Sequence, residues 1–494
     1  MNAYYPNPFD FVPFSKQEII LKTVEEWKEI DTALVSGTMQ IEIEALTPVH
    51  SVGKQTTNGI GQEIKKSYFN QEGASRVIPA KSIKGVLRSF IEAACNCRLA
   101  ELTPYYTRES KYRGQRLESR KRHYALAAVA EDEIDLKTNE RDGDFRIYNA
   151  IPENFRGTID NEGKIDLATY LFGFASEDEK HGGHSSRIAI PDAVVSPTDF
   201  ADYDLVDIPE KAFMGSPNPN LRKWWYFEPH VLVWRWSGRF KTFDFIGKNF
   251  RGRKFYYHQD WKKCIDTYRA ENDALYPYSV ECLKPGAKTK PFEIEFKEIP
   301  LKLLYLFLWA LQPAKKIRHK LGYGKPLGFG SVEFHVSNLK FNTPKYPGAW
   351  KPEEGLQERI LKEAPWTKEK LSQTIGSEYF DFDSLHKLAR ILTFEKSAIG
   401  EDASNPGQNI LFKYPPAANR QGFWCLVNAD AVETALDDLG YDKPDENEEL
   451  VVTEDAWELA VKLYNQNPTL HFEVFQQKAN GYERLKLRTY ENSL

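Results

Sequence analysis

The sequence predicts an α+β protein, and three observations lead there. Gly37–Leu46 alternates apolar with polar residues, and so do Phe292-Glu293-Ile294-Glu295-Phe296 and the run holding Val332, Phe334 and Val336. A period of two belongs to strands with one buried face. Between these strands, Ile83, Val86, Leu87, Phe90 and Ile91 fall at helical spacing and build an apolar helix face. The third observation is the run from Leu301 to Leu311, apolar except for Lys302, which reads as a helix buried against the sheet.

Residues 1–35 read as an aromatic leader with a short helix around Lys16–Glu29. The first strand ends at Thr47-Pro48-Val49-His50. Ser51 to Ser75 is rich in Gly, Gln, Asn, Lys and Thr and reads as a long exposed loop. The helix around 80–93 follows. Ile165–Gly173 suggests a short helix ended by glycine, and Ser185–Ala193 a strand. The glycine loop 321–330 leads from the apolar helix into the strand at 332–336. Pro344, Pro347 and Pro352 then mark a linker over 343–375, with helices around 354–363 and 367–374. Residues 376–494 are more acidic and read as a smaller mixed α/β region.

At 494 residues the chain can hold two to four ordinary domains or one heavily decorated core. Its 41% hydrophobic and 28% charged content is that of a folded soluble protein, not a disordered one. The net charge of −5 weighs against a free-standing nucleic-acid binder, although local basic patches decide phosphate binding. Five scattered cysteines suit a reducing cytoplasm, and Cys95-Asn96-Cys97 lacks the second pair that a zinc site needs. The N-terminus has no signal-peptide pattern, and the 301–311 run is too short to span a bilayer. A cytoplasmic protein without membrane partners is the expectation. With no nucleotide-binding fingerprint, phosphate loop, HExxH or GxSxG motif, neither a cofactor nor a metal is expected.

Several stretches carry chemistry. Leu321-Gly322-Tyr323-Gly324-Lys325-Pro326-Leu327-Gly328-Phe329-Gly330 has four glycines in nine positions, with Lys315, Lys316, Arg318 and Lys320 just before it. It suits close contact with a phosphodiester backbone, or is a glycine-rich hairpin. Lys81, Lys84 and Arg88 recur at i, i+3 and i+7 near a helix start, where unpaired amides already attract phosphate. The alternative is a solvated basic face. The run Arg108–Arg122, with Arg113, Arg116 and Arg120 among tyrosines, and the aromatic and cationic segment 222–258, with Arg251, Arg253 and Lys254, resemble surfaces on which single-stranded bases stack. Exposed charge and core aromatics are the plainer alternatives. His181 and His184 could ligate a metal, but no carboxylate or cysteine motif completes that site.

Three of these pieces stand in order: Ile78-Pro79-Ala80-Lys81-Ser82-Ile83-Lys84-Gly85-Val86-Leu87-Arg88, then Leu171-Phe172-Gly173 through Ser186-Arg187-Ile188-Ala189-Ile190-Pro191-Asp192-Ala193, then the glycine loop. Together they resemble the CRISPR-associated RAMP (repeat-associated mysterious protein) superfamily, most of all the backbone subunits of type III effector complexes. The resemblance implies a ferredoxin-like, RRM-type core over 36–342, with insertions at about 100–160 and 200–285. It implies binding of CRISPR RNA, with target RNA and other effector subunits as further partners. Lys81, Ser82, Lys84, Arg88, Lys320, Gly322, Tyr323, Gly324, Lys325, Gly328 and Gly330 would grip the RNA backbone. Target cleavage in such subunits is attributed to an aspartate between the first strand and first helix. Ser51–Ser75 contains none; Glu63 and Glu72 are its only acids, and Glu63 is the catalytic candidate that could substitute. A binding subunit without the usual cleavage site is therefore expected. The alternatives are an endoribonuclease processing precursor CRISPR RNA, with His50 or His319 as general base, and an accessory protein-interaction subunit.

Overall fold

Strand β1 (Leu34–Ala45) lies at the centre of the main sheet because its alternate side chains Val35, Met39, Ile41, Ile43 and Ala45 are all apolar and buried. The computed structural model describes residues 8–31, 33–57, 64–99, 106–108, 111–112, 115–116, 120–122, 151–174, 183–195, 203–209, 227–237, 240–250, 252–270, 278–314, 316–346, 349–351, 367–394, 440 and 449–452. After β1 come helix α1 (Ala80–Ala94), the short strand β2 (Ile188–Ala189), strand β3 (Phe292–Pro300), helix α2 (Leu301–Leu311) and strand β4 (Ser331–Tyr346). The sheet order is β2-β3-β1-β4, with His319–Lys320 added beyond β4, and every one of these neighbours is antiparallel. A βαββαβ chain in strand order 2-3-1-4 is the ferredoxin-like arrangement, so the α+β class stands with that core.

One face of the sheet is covered and the other is open. Helix α1 buries Ile83, Leu87, Phe90 and Ile91, while α2 is buried almost all round, as a helix apolar on every side must be. The two helices meet where the Phe90 and Trp309 rings lie 5.0 Å apart. The helix Phe382–Ile391 packs on α1, and Phe380 stands edge-on to Trp309 at 5.5 Å. On the open face β3 presents Glu293, Glu295 and Lys297, all exposed. There Lys288 pairs with Glu42 at 2.8 Å, His335 with Glu44 at 2.9 Å and Arg318 with Glu333 at 2.7 Å.

The loop expected at 51–75 is instead mostly strand. Val52–Thr57 and Ile64–Phe69 pair antiparallel, and Ile64–Phe69 also pairs, in parallel, with Tyr278–Leu283. Tyr203–Ile208 completes this second, four-stranded sheet. Its small core joins Val206, Ile208, Cys264, Ile265 and Val280 to Leu327 and Phe329 of the glycine loop, so that loop ties the two sheets together. The strand expected over 185–193 is broken at Pro191. Only Ile188–Ala189 joins the main sheet, and Ala193–Val195 pairs with Ser75–Ile78.

The other elements follow their local signals. The helix Val24–Lys28 carries a Thr23–Glu26 capping box, and Leu167–Phe172 is capped by Asp166 and ended by Gly173. The N-terminal strand Phe9–Val12 pairs with Arg253–Tyr256. Lys368–Leu371 forms the start of the helix expected at 367–374, while the one expected at 354–363 lies outside the described residues. No helix among the described residues is long and apolar enough to cross a membrane.

Candidate nucleic-acid interface

The start of α1, the glycine loop, the strand His319–Lys320, the segment Lys254–Tyr256 and the turn His50–Val52 surround one open cleft of about 680 Å³. Lys81, Lys254, Lys320 and Lys325 line it, and none of the described residues lining it is an aspartate or glutamate. In a chain of net charge −5 this concentrates positive potential in one concavity. Tyr323, Tyr256, Phe255 and Phe90 supply aromatic surface, and Ser51, Asn70, Ser82 and Ser89 supply polar groups. Segments hundreds of residues apart in sequence thus meet in one place.

Helix α1 presents Lys81, Ser82, Gly85, Val86 and Ser89 to the cleft. Lys84, half-buried, does not line it. Arg88 points inward: it is only 6% exposed, its Nε donates to Glu92 Oε1 at 2.8 Å and its Nη1 to the Gly173 carbonyl at 3.0 Å. Burial outweighs the neighbouring Arg88 and Arg253 and pushes the Glu92 carboxyl up to about 7. The helix N-terminus is also partly occupied, because the Ala80 amide donates to Asp192 Oδ1 at 2.6 Å. A carboxylate of the chain itself sits where the basic helix start alone suggested a phosphate.

The glycine loop is shaped first by its own packing. Gly322 has φ +87°, and a Cβ there would lie 2.4 Å from the His50 carbonyl oxygen; at Gly330, with φ +79°, it would lie 2.1 Å from that of Leu321. Only glycine fits either position. Gly324 and Gly328 flank a short 3₁₀ turn, Lys325–Leu327. The loop is pinned by hydrogen bonds from Tyr323 N–H to the His50 carbonyl at 2.9 Å and from Gly330 N–H to the Pro48 carbonyl at 2.8 Å. Tyr323 stands edge-on to the His50 ring at 5.9 Å.

Both candidate histidines are held in place. His50 Nδ1 lies 2.7 Å from the Glu281 carbonyl and so carries the proton, leaving Nε2 to accept from the Ser67 hydroxyl at 2.9 Å. Burial lowers its pKa. His319 Nε2 donates to the Ala310 carbonyl at 2.7 Å, its ring is packed edge-on between Phe90 and Phe334, and burial drives it down to about 4. Neutral, buried rings with engaged nitrogens are poorly placed to accept a substrate proton.

Arg253 and Lys254 are separated by strand alternation. Arg253 is buried and donates to the Cys97 carbonyl, while Lys254 reaches the cleft with its Nζ 3.6 Å above the Phe9 ring. Arg116 and Arg120 lie on two short hairpin strands. Glu63, Arg113, Arg251 and His181 lie outside the described residues. His184 Nε2 bonds to the Tyr170 carbonyl at 3.0 Å, and no cluster of three metal-ligating side chains occurs among the described residues. Sequence reasoning missed Gly85 and Ser89 as cleft residues and reached Tyr256 only as part of the 222–258 segment. The i, i+3, i+7 spacing of Ser82, Gly85 and Ser89 was the available signal.

A ferredoxin-like core with a glycine loop closing a basic cleft beside its first helix defines the class. The RAMP superfamily matches over residues 42–333, more than half of the chain, and the chain belongs to that superfamily. No curated protein matches it. Among solved structures, a chain of a "Type IV-B CRISPR Complex" is similar at 13% identity, covering 63% of this chain and 93% of its own length, with a TM-score of 0.26.

Proposed function

We propose that this chain is an RNA-binding RAMP subunit of a CRISPR effector of type III-like organisation, and that the cleft holds the backbone of the guide RNA. The observation that carries the reading is the lining itself: four lysines, several aromatic rings and, among the described residues, no carboxylate, gathered from distant segments. Such a cleft attracts a polyanion and offers stacking faces to unpaired bases. Membership of the superfamily supports the same reading. The reading is of binding without cleavage, because Ser51–Ser75 has no aspartate and the His50 and His319 rings are already engaged. Arg116, Arg120 and the other cations of the 108–122 run would serve RNA or neighbouring subunits, and the cytoplasm is the expected location.

Two measurements test this. Nucleic acid extracted from the protein purified from its own host should be RNA carrying repeat-derived ends and spacer sequence; a preparation free of RNA sinks the guide-binding role. Replacing Lys81 or Lys254 by alanine should each lower the slope of log affinity against log salt by about one. An unchanged slope removes those lysines from the interface.

A further inference from the structure

Two segments that lie outside the superfamily match of residues 42–333 hold one wall of the cleft from behind. The first is the strand Phe9–Val12, all of whose residues are buried; it pairs with Arg253–Tyr256 and sets Phe9 against Tyr256 and Phe11 against Lys254. The Lys254 ammonium stands over the Phe9 ring, and that ring meets the Tyr256 ring edge-on at 5.9 Å. The second segment is the helix Phe382–Ile391. Its Lys387 pairs with Asp10, the one polar residue of the strand Phe9–Val12, which is only 2% exposed. The Asp10 carboxylate also accepts from the Tyr257 hydroxyl at 3.0 Å and from the Phe11 amide at 2.8 Å. Tyr257 directly follows the strand that bears Lys254. Three segments therefore meet at one buried carboxylate, and Lys387 supplies a cation that offsets its charge.

The same helix is fastened to the other side of the cleft. Leu392, just beyond its end, lines the cleft, and the Leu392 carbonyl accepts from the Arg318 amide at 3.0 Å. The Phe394 amide donates to the Lys316 carbonyl at 2.7 Å. Lys316 and Arg318 lead into His319–Lys320 and the glycine loop. One short segment, 382–394, thus joins the wall that carries Lys254 to the wall that carries the loop.

We propose that the helix Phe382–Ile391 braces the cleft, and that Lys387 is a positioning residue that acts through Asp10 to hold Lys254 ready for the bound strand. Lys387 does not line the cleft, so its part is played through the strand Phe9–Val12. A lysine stem settled on a fixed aromatic ring has less rotamer freedom to lose on binding than a free one. The inference rests on the RNA-binding reading above and adds to it a support drawn from both ends of the chain.

The test is an anisotropy titration of the full chain against a labelled oligouridine of roughly 4–16 nucleotides at several salt concentrations. Lys387→Met and Lys254→Ala are compared singly and together, and Lys387→Met is also combined with Lys81→Ala. Lys387→Met should bind severalfold more weakly and lower the slope of log affinity against log salt by up to about one, as Lys254→Ala does. Lys387→Met with Lys254→Ala should lose little more than Lys254→Ala alone, whereas Lys81→Ala should lower the slope of Lys387→Met by about one more. Because Lys387→Met strands a buried carboxylate, Asp10→Asn with Lys387→Met repeats the series with no unpaired charge left inside. Independent losses at Lys387 and Lys254, undiminished binding by Lys387→Met, or a loss that merges equally with Lys81→Ala overturns the brace and leaves the RNA reading standing. So does failure of both charge variants to fold, which would make the tie a requirement of the fold alone. No binding by the wild type overturns both.

Discussion

Replacing Gly85 by alanine separates what α1 needs as a helix from what the cleft needs as a surface. Gly85 lies in the interior of a 15-residue helix, it is exposed, and a Cβ built there meets no atom within 4 Å. Nothing in the packing demands glycine, yet a helix-interior glycine costs about 1 kcal/mol relative to alanine. Gly85→Ala should therefore stabilise the chain by about that amount. In a thermal melt this is an upward shift of roughly 2–4 °C if the unit that unfolds is of ordinary domain size. The new methyl group projects into the cleft, where a strand lying against the helix backbone would have to move outward. RNA affinity should fall severalfold while stability rises, and the larger side chain of Gly85→Leu should deepen the loss. A lower melting temperature would refute the helix argument. A higher one with unchanged RNA affinity would refute the claim that the strand passes Gly85.

Glu92 and His319 should give opposing pH dependences. Glu92 titrates near 7 when folded, above its ordinary value of 4.5, so the stability it confers is full at low pH and is lost as pH rises from 4.5 through 7. His319 titrates near 4 when folded, below its ordinary 6.5, so its contribution is present above 6.5 and is lost as pH falls towards 4. Denaturant melts across this window should show Glu92→Gln gaining relative stability as pH rises, by at most about 3 kcal/mol, and His319→Gln losing the acid-side decline; identical profiles for all three proteins would contradict both assignments. Arg88→Met should push the Glu92 carboxyl up further, so its destabilisation should be largest above pH 7, where folding must otherwise bury an unpaired carboxylate, and smallest at low pH; combining it with Glu92→Leu should recover most of that loss. Gly330→Ala should fold poorly, with at least about 1–3 kcal/mol lost to the positive φ before the clash with Leu321 is counted, which soluble yield and melting temperature will report.

The main sheet and its two helices were legible because their signals are long and local. Residues 38–45 of β1 and 292–297 of β3 alternate, and α1 repeats at helical spacing. The 52–69 hairpin was not legible, since its polar strands are held by Tyr278–Leu283, some two hundred residues away. Arg88 looked like a member of a basic face, yet Glu92 at i+4 already marked it for an ion pair. The glycine loop was legible as a special conformation but not as one imposed by neighbouring carbonyls, because the approach of His50 to Gly322 exists only in three dimensions. The second cleft lysine from the N-terminal side, Lys254, could be told from Arg253 only once the pairing of Phe9–Val12 with Arg253–Tyr256 fixed which of them turns inward.

The open face of the main sheet gives the molecule a polarity. Glu293, Glu295 and Lys297 stand exposed there, beside Glu42 and Glu333, which pair with Lys288 and Arg318, and Glu44, which lies 2.9 Å from His335 Nε2 and 3.7 Å from Lys288. A sheet in a ferredoxin-like core is a natural platform for bases, but here its open face mixes carboxylates with cations such as Lys297, whereas the cleft gathers four lysines and no carboxylate among the described residues. By charge alone, a nucleic-acid strand approaching the protein is drawn more to the lysines beside α1 than to the sheet. Orientation is thus sorted during approach, before any contact forms, and ionic strength controls how well that sorting works.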